Sequence, residues 1–256
     1  MITAQERQMG LFEHLAELRQ RLFRSALSWV VATIIAMNFV DVMVGWLVEP
    51  VRTAAGGTVS VIVLSPTEAP IIYFQIAMIA GLAIALPFIL LQIYGFMAPG
   101  LYPKERSILL IAIPAVLILF SIGTIFALQF LIPLSLPVLM SFLGDVVQPT
   151  YSLENYLKFA STLVLAMGML FQVPLVVYLV ARLGIWTPKQ FGEARRFVWF
   201  VSAIIAAFLT PPDPTTKLLA MGPFIVLYEV GILLARVAWF QRRKAEKQRE
   251  DEEAEL

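Results

Sequence analysis

Apolar positions in this chain gather in long uninterrupted runs, and short charged stretches separate them. Six runs cover residues 22–40, 71–96, 108–130, 159–180, 197–209 and 218–235. About 20 helical residues cross the hydrocarbon core of a bilayer, and four of the runs reach that length. The fifth, FVWFVSAIIAAFL, would cover only about 20 Å as a helix, against a core of about 30 Å. The sixth is interrupted by Gly222-Pro223 and carries Glu229. These last two therefore read either as short spans or as a re-entrant hairpin. The pattern predicts an all-α, polytopic membrane protein with six transmembrane helices. Pro87, Pro114, Pro174 and Pro223 fall inside the runs, so kinked helices forming a concave wall are expected.

Ahead of the first run, LFEHLAELRQRLFR has helical period. Leu11, Leu15, Leu18 and Leu22 make one stripe, with Glu13, Glu17, Arg21 and Arg24 on the polar faces. An amphipathic helix over about 8–21 is expected, running into the first span along the inner membrane surface. Glu17 then has two readings: an i,i+4 partner of Arg21, or a carboxylate that awaits a cationic ligand. The stretch from Asp41 to Pro70 is long enough for short interfacial helices. The stretch 132–156, with Pro133, Pro137 and Pro149, predicts a bent cap, and TPPDP a tight turn. Residues 1–240 thus form a single transmembrane domain, and 241–256 a charged tail that reads as a solvated or frayed helix end.

Charge sets the orientation. Sixteen of the 19 Lys and Arg lie at the N-terminus, around Lys104 and Arg106, between runs four and five, and in the tail. Only Arg52, Lys158 and Lys217 lie on the other side. The positive-inside rule places the sixteen in the cytoplasm, with both termini. The formal net charge of +1 gives no reason to expect a nucleic-acid partner.

Composition agrees with a membrane protein and removes several activities. The chain is 59% hydrophobic and 14% charged, with a mean hydropathy of +0.82. There is no cysteine and a single histidine, His14, so neither HExxH nor a Cys- or His-rich metal site can be built. No GxSxG elbow or Walker A loop occurs, and no span holds two carboxylates. No enzyme activity and no cofactor are expected. Gln75, Gln92, Gln129, Gln172 and Glu229 lie within the apolar runs, and an ionisable group at such depth is a functional candidate. Gln172 could bond a neighbouring helix or a guest peptide; Glu229 could snorkel or pair. A small-solute or proton-coupled transporter using these two is the competing reading, but it would show inverted repeats, and no repeat is evident.

Several motifs occur in one order along the chain: HLAELRQR at 14–21, LSPTEAP at 64–70, APGLYPKER at 98–106, FQVPL at 171–175, LTPPDP at 209–214 and LYEVG at 227–231. Together they resemble the TatC family, the membrane receptor of the twin-arginine protein translocase. The resemblance implies a protein that binds paired-arginine signal peptides of folded cargo at the cytoplasmic face. It implies work with TatA-type and TatB-type single-span partners in an oligomeric receptor complex, driven by the proton-motive force, in a bacterial or archaeal cytoplasmic membrane. The family's two signal-binding acids fall on Glu17 and Glu105, which favours the ligand reading of Glu17. Arg19, Gln92 and Phe96 fall on the same surface. Pro50, Ser65 and Pro66 shape the outer cap, and Pro212 and Asp213 form the outer turn. The family's mid-span polar position falls on Gln172, and many relatives carry an amide where this chain has Lys217.

Overall fold

The computed structural model describes residues 11–54, 61–97, 103–141, 151–210 and 214–254; side-chain detail covers 13–53, 62–96, 112–139, 152–210 and 214–244. Nine helices account for nearly all of it: α1 (Leu11–Ala36), α2 (Val40–Ala54), α3 (Glu68–Met97), α4 (Pro103–Phe126), α5 (Ile132–Ser141), α6 (Leu153–Leu170), α7 (Val173–Arg182), α8 (Pro188–Leu209) and α9 (Pro214–Ala254). One two-residue parallel pair joins β1 (Val61–Ile62) to β2 (Tyr151–Ser152).

Five stretches are long and apolar enough to cross a membrane: Glu13–Thr53, Glu68–Phe96, Ala112–Leu139, Leu153–Arg182 and Pro214–Lys244. Helix α8 is the remaining run, and only its 197–209 part is apolar. Large apolar side chains are exposed along every one of these stretches, as lipid-facing helices require. The protein is a multi-pass, helical membrane protein.

The N-terminal amphipathic segment runs into the first span, because α1 is unbroken from Leu11 to Ala36. The sixth run, in contrast to expectation, is not interrupted. Helix α9 continues through Gly222-Pro223 as a single 41-residue helix and carries the expected frayed tail with it as far as Ala254. A proline deletes only one ladder bond, which membrane helices tolerate. Pro87 and Pro114 likewise lie inside continuous helices, whereas at Pro174 the chain stops and restarts: Phe171 and Gln172 form a turn, and Pro174 sits in the first turn of α7. There its missing N–H costs no intrahelical bond.

Local chemistry explains the other boundaries. Before α5 the helix widens over Ala127–Leu131, where the Ile132 N–H reaches the Ala127 carbonyl, just ahead of Pro133. Ser152 caps α6 by accepting from the Asn155 N–H. Thr187 and Gln190 form a reciprocal capping box at α8, with Pro188 in the first turn.

Two apolar clusters hold the bundle. The larger joins α2, α3, α5 and α6 through Val51, Ile76, Ile132, Leu157, Leu163 and Met167. The smaller joins α7, α8 and α9 through Val177, Ala181, Phe191, Tyr228, Ile232 and Ala238. Around the β pair, which marks what we call the cap end, the carboxylate of Glu68 is buried. It accepts from the Leu64 N–H at 2.7 Å and from the Ser152 hydroxyl at 3.0 Å. It also sits in the first turn of α3, where the helix dipole favours negative charge.

Candidate functional site

At the end of the bundle opposite the cap, the first turns of α1 lie against the last turns of α3. The two helices run antiparallel and approach closely at Gly81, where an added Cβ would stand 2.6 Å from the Thr33 Cα. The Trp29 indole donates to the Met78 carbonyl at 2.9 Å across the same contact. Near the end, the guanidinium of Arg21 lies over Gly95 and the ring of His14 stacks on Phe96, with centroids 4.4 Å apart.

Glu17 stands between His14 and Arg21 on this face of α1, one turn from each. Arg21 donates through both Nε (2.8 Å) and Nη2 (2.6 Å) to the same oxygen, Glu17 Oε1. Glu17 Oε2 is buried and has no hydrogen-bond partner among the described residues. On α3, Gln92 lies one turn from Gly95 and Phe96, and its Oε1 is likewise buried and unpartnered among them. The site thus offers two acceptor oxygens beside an aromatic ring. That suits a donor-rich, planar cation better than any bond-making chemistry.

Of the residues singled out from the sequence, Glu17 and Phe96 are linked through His14 and Arg21 at the α1–α3 contact, and Gln92 lies one turn before Phe96 on α3. Arg19 does not join them: two positions from Glu17 on one helix, it points elsewhere and is exposed. Glu105 is the third residue of α4, but its side chain lies outside the described residues, as do Pro212 and Asp213 altogether. His14, Arg21 and Gly95 complete the cluster. The i,i+4 spacing signalled Arg21; nothing in the sequence signalled that His14 meets Phe96 across two helices.

The other polar candidates are elsewhere. Gln172 is in the turn between α6 and α7, where its amide donates to the carbonyls of Val116 (3.2 Å) and Gly168 (3.1 Å). It borders an apolar cavity of about 450 Å³ between α3, α4 and α7. Glu229 pairs, instead of snorkelling: Arg195 donates Nε to Oε1 and Nη2 to Oε2, both at 2.7 Å. This two-point pairing crosses from α8 to α9, about 22 Å along α9 from its start. Pro50 is buried inside α2. The Ser65 carbonyl accepts the Glu68 N–H at 3.1 Å, and Pro66 follows in the turn that starts α3. The described residues hold no group of three or more metal-binding side chains.

Fold and site define a multi-span helical membrane protein whose α1 and α3 each carry a buried acceptor oxygen without a partner among the described residues. A family model described as Sec-independent protein translocase protein (TatC) matches residues 13–223. The chain is 36% identical to the Sec-independent protein translocase protein TatC of Carboxydothermus hydrogenoformans, over 91% of this chain and 95% of that one. It is 33% identical to the TatC of Aquifex aeolicus, over 93% and 100%. A crystal structure described as twin arginine translocase receptor TatC superposes with a TM-score of 0.80 at 33% identity, covering 88% of this chain and 99% of that one. The chain belongs to the TatC family. It is a translocase component that works in a protein complex, not an enzyme.

Proposed function

We propose that this chain is the receptor for twin-arginine signal peptides and that Glu17 and Glu105 accept the paired arginines. The observation that carries the reading is the Glu17 carboxylate: one oxygen takes both Arg21 donors, and the other is buried without a partner among the described residues. An arriving guanidinium can take the second oxygen while Arg21 keeps the first. Two donors of its planar fork can converge on that one oxygen, as those of Arg21 do on the other, a geometry a lysine ammonium does not reproduce. Phe96 offers an aromatic face beside it and Gln92 a further acceptor. Glu105, in the first turn of α4, would receive the second arginine, and Arg19 would guide the approach from the exposed side.

The distribution of Lys and Arg supports a cytoplasmic position for this face and for both termini, in a bacterial or archaeal cytoplasmic membrane. TatA-type and TatB-type single-span subunits are the proposed partners, in an oligomeric complex driven by the proton-motive force. Gln172 and Glu229 act as structural fasteners here, since each already bonds a neighbouring helix. Pro50, Ser65, Pro66, Pro212 and Asp213 shape the opposite, outer cap.

The test is binding of a twin-arginine signal peptide to the protein in membranes, with a twin-lysine version as reference. Glu17→Ala and Glu105→Ala should each weaken the arginine peptide by at least tenfold and bring it down toward the lysine peptide. If neither substitution changes the affinity, the assignment of the two acids is wrong.

A further inference from the structure

Helix α9 changes character near its basic end. Its exposed apolar side chains Val226, Val230, Leu233, Val237 and Phe240 succeed one another at steps of three and four, so they form one lipid-facing stripe. The stripe ends at Phe240, which is 72% exposed. Arg236 lies four positions before Phe240, Arg243 three after it and Lys244 four after it. All three surround that ring on one face of the helix, and all are exposed. Among the described residues no carboxylate forms an ion pair with them.

The helix end is held in place. Gly231, Ala235 and Ala238 are buried against α7, with Gly231 in contact with Val177, so the two helices run parallel at close range. Gly184 ends that packing in the turn after α7, with φ +75°; the Arg242 guanidinium lies over it, where any Cβ would collide. The Trp239 ring is flanked by the guanidiniums of Arg242 and Arg243, 5.9 and 5.8 Å from its centroid. The first acid of the tail, Glu246, lies three positions after Arg243 on the same continuous helix, where the sequence sets Lys247 and Arg249 against it, so the segment from Arg236 to Arg249 keeps a large basic excess. The remaining acids begin at Glu250, about 9 Å along the axis from Lys244. The result is a fixed group of three cations with an indole beside them, at the level where a lipid-facing stripe stops.

We propose that Arg236, Arg243 and Lys244, with Trp239 and Phe240, bind the headgroup of an anionic phospholipid whose acyl chains lie along the Val226–Phe240 stripe. The three cations bond the phosphodiester, Trp239 holds Arg243 in position, and Phe240 marks the glycerol level. The leaflet is the cytoplasmic one if the charge-based orientation holds; the site itself rests on neither that orientation nor the signal-binding reading.

Native mass spectrometry of the purified protein in neutral detergent tests this, with phosphatidylglycerol, phosphatidylcholine and inorganic phosphate as separate probes. Phosphatidylglycerol should bind more tightly than phosphatidylcholine. Combining Arg236→Gln, Arg243→Gln and Lys244→Gln should weaken phosphatidylglycerol binding by about tenfold or more and leave phosphatidylcholine unchanged. The charge-preserving set Arg236→Lys, Arg243→Lys and Lys244→Arg should retain it. If the neutral triple variant melts lower than wild type in lipid-free detergent, Arg243→Gln alone serves, with a loss of about fivefold. Unchanged phosphatidylglycerol binding in the neutral variant, equal binding of the two lipids to the wild type, or displacement of the lipid by inorganic phosphate would each overturn the proposal.

Discussion

Replacing Gly81 by alanine should loosen the contact on which the α1–α3 site depends. The new Cβ would stand 2.4 Å from Thr33 Oγ1, 2.6 Å from Thr33 Cα and 2.7 Å from Thr33 N. Two of these are backbone atoms, and Thr33 Oγ1 is held by its bond to the Trp29 carbonyl at 2.8 Å, so no rotamer change relieves the collision. The helices must part until the 2.6 Å contact reaches an ordinary 3.4 Å, a shift of about 0.8 Å. The same shift would stretch the Trp29–Met78 hydrogen bond, now 2.9 Å, beyond its useful range. Overpacking of this kind costs about 1–3 kcal/mol and the hydrogen bond about 1 kcal/mol, while alanine in place of glycine returns up to about 1 kcal/mol of helix propensity. The net loss is about 1–3 kcal/mol. Thermal unfolding of the purified protein in detergent measures it, with Gly45→Ala as the control. Gly45 is in mid-helix with nothing within 4 Å of an added Cβ, so that change should be neutral or stabilising. Equal melting temperatures for the two variants would refute the close-approach reasoning.

Further outcomes follow from the same geometry. In Gly95→Ala the collision, 2.1 Å, is with the far end of the Arg21 side chain, which can move. The melting temperature should change little, and signal-peptide affinity should rise as Arg21 is pushed off Glu17; a stability loss as large as that of Gly81→Ala would count against this. Glu68→Ala leaves the Leu64 N–H and the Ser152 hydroxyl without their acceptor and should cost about 2–4 kcal/mol, whereas Glu68→Gln should cost less. Equal melting of both with wild type would show that the clasp is dispensable. For Arg195 and Glu229, with side chains 41% and 38% exposed, a double-mutant cycle of Arg195→Gln and Glu229→Gln should give a coupling of about 1–2 kcal/mol in stability. Additive losses would show that the pair contributes nothing as a pair.

The apolar runs were legible because a bilayer imposes a length. Continuity was legible at the N-terminus, where the Leu11–Leu22 stripe leads without a breaker into the first span and the chain follows it. It was harder to read in the sixth run. Gly222-Pro223 looks like an interruption, yet packing against α7 and α8 outweighs one lost ladder bond. Partners distant in sequence could not be read at all. Glu68 sits within a motif that pointed to Ser65 and Pro66, while its ligand Ser152 is 84 residues away. Glu229 was a visible candidate, but nothing in the sequence chose Arg195, 34 residues before it, from the several basic residues nearby. Glu17 was open between two readings, and the geometry holds elements of both: one oxygen is paired with Arg21 and the other is without a partner among the described residues.

The central claim is that the Glu17 carboxylate recognises a guanidinium, and a cross-molecule double-mutant cycle tests it most directly. Affinities are measured for twin-arginine and twin-lysine signal peptides, each against wild type and Glu17→Gln. The account predicts non-additivity: the peptide change and the protein change should couple by about 1.5 kcal/mol or more, because each removes the same two-point contact. Effects that add to within about 0.5 kcal/mol would mean that the arginine pair and Glu17 do not meet, and the receptor site would have to be sought elsewhere.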